Sequence, residues 1–136
     1  MLSEFPWLQY LIAFLVVCHG FVYLRIMVTA PNQLQGWNGS SWISGGALSG
    51  DRLKALLLVL HAAAGVLILA CGVTIGLAAS FPGWWRPLGI VGAGLGLAGF
   101  AVFLDGQPQL VVQEGGIGAG ISAILLVSAI AFAGAF

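Results

Sequence analysis

Long runs of apolar residues alternate with short polar segments along this chain. The first run, residues 7–28, is about 33 Å long as a helix, which is enough to cross a bilayer core of about 30 Å. Three similar runs follow, and the pattern predicts helices over residues 7–28, 53–78, 85–104 and 111–135. We therefore expect an all-α fold: an integral membrane four-helix bundle that forms a single domain over residues 1–136.

The polar links between the runs carry turn residues and tryptophans. The link between helices 1 and 2 is the longest, and its Trp37 and Trp42 predict that it lies on the membrane surface or folds over the bundle as a lid. The other links are short. Trp84 and Trp85 precede helix 3 and are expected to anchor the opposite interface as a pair of indoles at headgroup depth.

Composition agrees with a membrane location. Of the 136 residues, 60% are hydrophobic and only 6% are charged, whereas soluble domains average about 25% charged residues. We therefore expect no domain outside the bilayer. The net charge of zero excludes an electrostatic surface for nucleic acid. Cys18 and Cys71 both lie inside apolar runs without a CxxC spacing, which predicts free, buried thiols.

Glycines indicate how the helices pack. Four of them recur at three- and four-residue steps in helix 3 (Gly89, Gly92, Gly96 and Gly99), and Gly116 and Gly120 are four apart in helix 4. Small faces of this kind let helix backbones approach closely. The sequence therefore predicts a close antiparallel hairpin of helices 3 and 4. Helices 1 and 2 carry larger side chains, and we expect them to pack more loosely.

Two histidines within the apolar runs are the main candidates for function. His19 in helix 1 and His61 in helix 2 are predicted to lie at similar depth, roughly 12 to 14 Å from the same membrane face. Tyr23 follows His19 by one helical turn on the same face, and Arg25 lies close by. Because ionisable groups inside a membrane are costly and usually face the bundle interior, these residues form a candidate site.

Other polar residues lie toward the same side of the membrane. Asp105 and Glu114 flank the link between helices 3 and 4, while Arg52 and Lys54 begin helix 2. The basic residues flank the long link between helices 1 and 2, so the positive-inside rule predicts a cytoplasmic link and both termini outside.

Three interpretations of the histidines stay open. In the first, they are structural ties between helices, each contributing about 0.6 kcal/mol. In the second, they are axial ligands of one haem b, with Gly20 and Gly65 leaving room for the ring and Arg25, Arg52, Lys54 or Asn32 near the propionates, or one histidine alone binds a haem or a chlorophyll. In the third, they belong to a proton or metal site with Asp105 and Glu114. The spread in depth of Asp105 and Glu114 favours a ladder of titrating groups over a compact metal site.

Several short motifs resemble those of a set of small prokaryotic four-helix membrane proteins. These are His19-Gly20 followed by Tyr23-Leu24, Ser41-Trp42 in the long link, and the tryptophan-rich link before helix 3. The resemblance implies a four-helix membrane fold and implies no activity. Proteins of that set often carry a second histidine where this chain has Tyr23.

The sequence thus predicts a small integral membrane subunit or accessory protein of a larger complex, with haem or a quinone-like group as candidate cofactor. The alternative is a small proton- or metal-linked transporter or membrane oxidoreductase. The sequence contains no nucleophile–base pairing and no phosphate-binding loop. We therefore expect a non-enzymatic role ahead of an enzymatic one. The expected partners are the lipid bilayer and other membrane subunits or further copies of the chain, and the expected location is a prokaryotic plasma membrane.

Overall fold

The computed structural model describes residues 5–28, 41, 47, 50–103 and 116–132. These residues form four α-helices in chain order: α1 (Pro6–Val28), α2 (Gly50–Gly76), α3 (Trp85–Phe103) and α4 (Gly116–Ala131). The all-α four-helix prediction is confirmed. α2 begins three residues before its predicted start, with Asp51 in the first turn, where a carboxylate favours the helix dipole.

Three of the helices are long and apolar enough to cross a membrane, over Pro6–Arg25, Gly50–Gly76 and Trp85–Val102. The described part of α4 has 16 residues, about 24 Å of helix. Large apolar side chains are exposed on the outside of all four helices. Soluble monomers rarely expose this much apolar surface, whereas a helix bundle in lipid is expected to do so.

Consecutive helices pack antiparallel, α1 on α2, α2 on α3 and α3 on α4. Gly83, with φ of +76°, allows the turn between α2 and α3, since glycine adopts this conformation without a steric penalty. Two polar contacts fix the neighbouring helices: Gln9 Nε2 donates to the Ile75 carbonyl at 2.7 Å, and the Cys71 thiol donates to the Trp85 carbonyl at 3.2 Å.

The tightest described backbone contacts between helices join α1 and α2. A methyl group on Gly20 would come within 2.8 Å of Leu69 N, and one on Gly72 within 2.8 Å of Val17 N. The expectation of loose packing between helices 1 and 2 is therefore wrong. The reason is that Gly20, Gly65 and Gly72 form a small-residue seam that the larger side chains of these helices conceal in the sequence.

The glycines of α3 do not form a seam with α4 alone. Gly92 lies against Ile68 and Leu67 of α2, and Gly99 lies against His61 of α2. Gly89 contacts both neighbours, with Cys71 on one side and α4 on the other. The glycine face of α3 is therefore shared between α2, α4 and, at one position described below, α1.

The two tryptophans before helix 3 have different environments. Trp84 is 60% exposed, as expected of an interfacial anchor, but Trp85 is only 2% exposed and belongs to the main core. The prediction of a paired indole anchor is wrong for Trp85. Arg86, the next residue, donates from Nε to the Ala129 carbonyl at 2.9 Å and so satisfies a backbone acceptor at the end of α4.

The two cysteines also differ in exposure. Cys71 is fully buried in the main core, as predicted, whereas Cys18 is exposed on the outside of α1. The prediction of a buried thiol is therefore wrong for Cys18. Both are free thiols.

Candidate functional site: a buried hydrogen-bonded chain

His19 and Tyr23 face the interior of the bundle from adjacent turns of α1. Each is only 5% exposed. Their ring centroids are 5.2 Å apart with planes at 76°, an edge-to-face arrangement that aromatic rings prefer. The helical spacing places both rings on the side of α1 that is turned away from lipid.

Ser122 of α4 joins these two side chains. The distance from His19 Nε2 to Ser122 Oγ is 3.0 Å, and from the Tyr23 hydroxyl to Ser122 Oγ it is 2.9 Å. Ser122 is fully buried. The result is a continuous chain of two hydrogen bonds, His19–Ser122–Tyr23, which ties the first helix to the last.

His61 of α2 lies on the other side of the Tyr23 ring. The centroids of the two rings are 5.5 Å apart and their planes are tilted by 46°. His61 Nδ1 lies 2.8 Å from the Leu57 carbonyl, and a carbonyl only accepts, so Nδ1 carries the proton. In the neutral ring this leaves Nε2 as the unprotonated, basic nitrogen.

Glycines of α3 provide the space for this cluster. A methyl group on Gly96 would lie 2.5 Å from the Tyr23 hydroxyl oxygen and 3.3 Å from Ser122 Oγ, and one on Gly99 would lie 3.2 Å from His61 Cε1. The rings therefore fill room that two glycines leave open on α3.

The cluster is closed on one side by the main apolar core. Toward the end of the bundle that contains Pro6 and Trp85, the described interior consists of Ala13, Ile68, Ile75 and their apolar neighbours. A smaller apolar group, Leu53 and Leu57 with Val102, lies between the cluster and the end of the bundle where α2 begins. The cluster thus lies off-centre, nearer the end where α1 finishes and α2 begins.

The other predicted site residues differ in their exposure. Arg25 and Arg52 are exposed, and Lys54 is half-buried near the start of α2. Asp105 and Glu114 lie outside the described residues. Within the described ranges no group of three His, Cys, Asp or Glu side chains comes together as a metal site.

A haem held between the two histidines does not fit this arrangement. The Tyr23 ring lies between His19 and His61 at 5.2 and 5.5 Å, where the macrocycle would have to be. Gly20 and Gly65, expected to leave room for it, contact each other's helix directly, since a methyl group on Gly65 would lie 3.1 Å from the Gly20 carbonyl. His19 Nε2 is also occupied by Ser122.

Ser122 is the site residue that the sequence did not single out. A serine inside a helix often bonds instead to the backbone of its own helix, which gives the sequence little reason to single it out. One signal was present: Ala119, Ser122 and Ala129 are small residues on one face of α4, opposite Ile117, Ile121 and Ile124, and small faces pack against other helices.

Comparison with protein families, with curated proteins and with solved structures finds no match to this chain.

Proposed function

We propose that this protein is a small integral membrane protein of a prokaryotic plasma membrane that carries protons through the His19–Ser122–Tyr23 chain, as part of a proton-linked transporter or oxidoreductase system. The observation that supports this most directly is the unbroken pair of hydrogen bonds, 3.0 and 2.9 Å long, inside the bundle. Ionisable side chains buried at membrane depth are costly, and they recur in proton relays.

The hydrogen bonds of this chain can run in two directions, one before and one after a proton passes along it. In the first, Tyr23 donates to Ser122 and Ser122 donates to a neutral His19 Nε2. When a proton reaches the Tyr23 oxygen, the Tyr23 proton moves to Ser122 and the Ser122 proton moves to His19. Both hydroxyls are re-formed and His19 becomes an imidazolium whose Nε2–H now donates to Ser122. Protons balance, and no tyrosinate is needed.

His61 is the second proton-carrying group in this proposal. Its ring lies against Tyr23 at 5.5 Å, and the Leu57 carbonyl fixes the tautomer that leaves Nε2 basic. A proton held on His61 lies beside Tyr23, the first residue of the hydrogen-bonded chain. We therefore place the order of transfer as His61, Tyr23, Ser122 and His19.

Access from one side only is part of this proposal. The main apolar core separates it from the end that contains Pro6 and Trp85. In this proposal protons enter and leave past the smaller apolar group of Leu53, Leu57 and Val102, at the face that carries the link between α1 and α2. The positive-inside rule assigns this face to the cytoplasm.

Ser122→Ala tests the relay, with Ser128→Ala on the same helix as the matched control. After a pH jump, proton uptake by labelled histidine is followed by infrared spectroscopy of the protein in nanodiscs. We expect Ser122→Ala to slow uptake by His19 at least about tenfold, equivalent to about 1.4 kcal/mol in the barrier. Equal rates in wild type, Ser122→Ala and Ser128→Ala would remove the relay.

A role as a subunit of a larger membrane assembly is the second candidate. It is favoured by α4. Among the described residues its backbone packs mainly on α3, and its outer face carries exposed aliphatic side chains, including Ile117, Ile124 and Ile130. Extraction in a detergent-free polymer, followed by mass measurement, tests it. A particle that contains only one 14.0 kDa chain would contradict the subunit proposal.

A further inference from the structure

Within the cluster, the contact between Gly96 of α3 and the Tyr23 hydroxyl leaves the least room for a larger side chain. A Cβ atom at position 96 would lie 2.5 Å from the hydroxyl oxygen and 2.8 Å from the ring carbon that bears it. Real Cβ atoms are not found at such distances. The Tyr23 hydroxyl therefore occupies the volume that any side chain at position 96 would take.

Ser122 lies at the same point. The same Cβ atom would be 3.3 Å from Ser122 Oγ, and Ser122 Oγ is 2.9 Å from the Tyr23 hydroxyl. Gly96 therefore lies beneath the hydrogen bond that joins α1 to α4. The rings of His19 and His61 pack against the Tyr23 ring at centroid distances of 5.2 and 5.5 Å, so a shift of the Tyr23 hydroxyl away from position 96 would disturb both of these contacts.

We propose that Gly96 is a positioning residue, whose missing side chain is what allows the Tyr23 hydroxyl to reach Ser122 and complete the chain. Any substitution with a Cβ atom separates Tyr23 from Ser122 without removing a single polar or titratable group. The functional part of this inference rests on the proposed proton relay, whereas its geometric part stands on the contacts alone.

Two other glycines of α3 allow comparison: Gly94 is a matched control and Gly99 is an intermediate case. Gly94 has open space at its Cβ position, with nothing within 4 Å, so Gly94→Ala makes the same chemical change without a clash. Gly99 is intermediate, because its Cβ would lie 3.2 Å from the His61 ring and 3.5 Å from Leu60. We expect the effects to follow these distances, with Gly96→Ala the largest, Gly99→Ala smaller and Gly94→Ala none.

The first measurement reports the hydrogen bond of Tyr23 itself. The chain has two tyrosines, so in a Tyr10→Phe background an infrared or Raman band of the phenol group reports Tyr23 alone. We expect Gly96→Ala to shift this band to that of a hydroxyl without its serine partner, as Ser122→Ala does. We expect Gly94→Ala to leave it in place. An unchanged band in Gly96→Ala would overturn the inference.

The second measurement is a double-mutant cycle that keeps the test decisive if Gly96→Ala folds poorly. Tyr23→Leu removes the hydroxyl and the outer half of the ring. We expect Gly96→Ala to lower the melting temperature by about 5 °C beside Tyr23 and to be tolerated beside Leu at position 23. If Gly96→Ala is equally damaging in both backgrounds, its clash is not with Tyr23 and the inference is wrong.

Failure of the relay has a different signature. Suppose that the Tyr23 band responds to Gly96→Ala but that histidine proton uptake is the same in wild type and Ser122→Ala. Gly96 then still positions Tyr23, and only the proposed proton relay is contradicted.

Discussion

Gly20 of α1 and Gly65 of α2 lie against each other across the seam between the two helices. A methyl group on Gly20 would come within 3.0 Å of the Gly65 carbonyl oxygen, and one on Gly65 within 3.1 Å of the Gly20 carbonyl oxygen. Each glycine thus accommodates the other's backbone. This contact lies next to His19 in sequence and holds α1 at the distance from α2 that brings Tyr23 beside His61.

We expect Gly20→Ala to destabilise the protein by about 1 to 3 kcal/mol, the range for overpacking a close-packed interior. Its new methyl group would meet backbone atoms of Gly65 and Leu69, which cannot move aside as a flexible side chain does. Unfolding by a denaturing detergent measures the change. Gly94→Ala is the control, since its Cβ enters open space. Equal stability of the two variants would show that the seam is not close-packed.

We expect the purified protein to bind no haem between His19 and His61, because the Tyr23 ring occupies the space between them. Absorption spectra of protein expressed with ample haem measure this directly. The contrary result is a six-coordinate, low-spin spectrum that His19→Ala and His61→Ala each abolish. That spectrum would require Tyr23 to leave its place between the histidines.

We expect the protein alone to conduct no protons across a membrane. The apolar core around Ile68 and Ile75 separates the hydrogen-bonded chain from one end of the bundle. Liposomes with an enclosed pH dye measure this, and those that contain the protein should hold a pH gradient as long as empty ones do. A leak in the wild type that Ser122→Ala abolishes would show instead that the chain crosses the bundle.

We expect the link between α1 and α2 to face the cytoplasm, because Arg25, Arg52 and Lys54 flank it and Arg86 alone marks the other side. Ala47 in this link is exposed. Ala47→Cys, in a background with Cys18→Ala and Cys71→Ala, provides a single thiol for labelling. It should resist an impermeant reagent in intact cells and react after lysis. Labelling of intact cells would reverse the orientation.

The sequence by itself determined where the helices lie. Length and apolarity of a run are local properties, and a run of about 20 apolar residues has one stable form in lipid, a helix, because its backbone groups must bond internally. The positions of α1, α2 and α3 follow from counting residues along each run. The similar depth predicted for His19 and His61 is wrong, because Gly20 lies against Gly65 and Leu69, and this register puts His61 nearer the level of Tyr23 than that of His19.

Only the tertiary structure decided which side of each helix faces which neighbour. In water, the buried side of a helix is its apolar side, but in lipid the outside is as apolar as the inside, so the sequence carries little sign of rotation about the helix axis. For this reason the inward position of Ser122, the burial of Trp85 and the direct contact of Gly20 with α2 were not predicted. The His19–Ser122–Tyr23 chain depends on those rotations, because its atoms come from helices at opposite ends of the sequence.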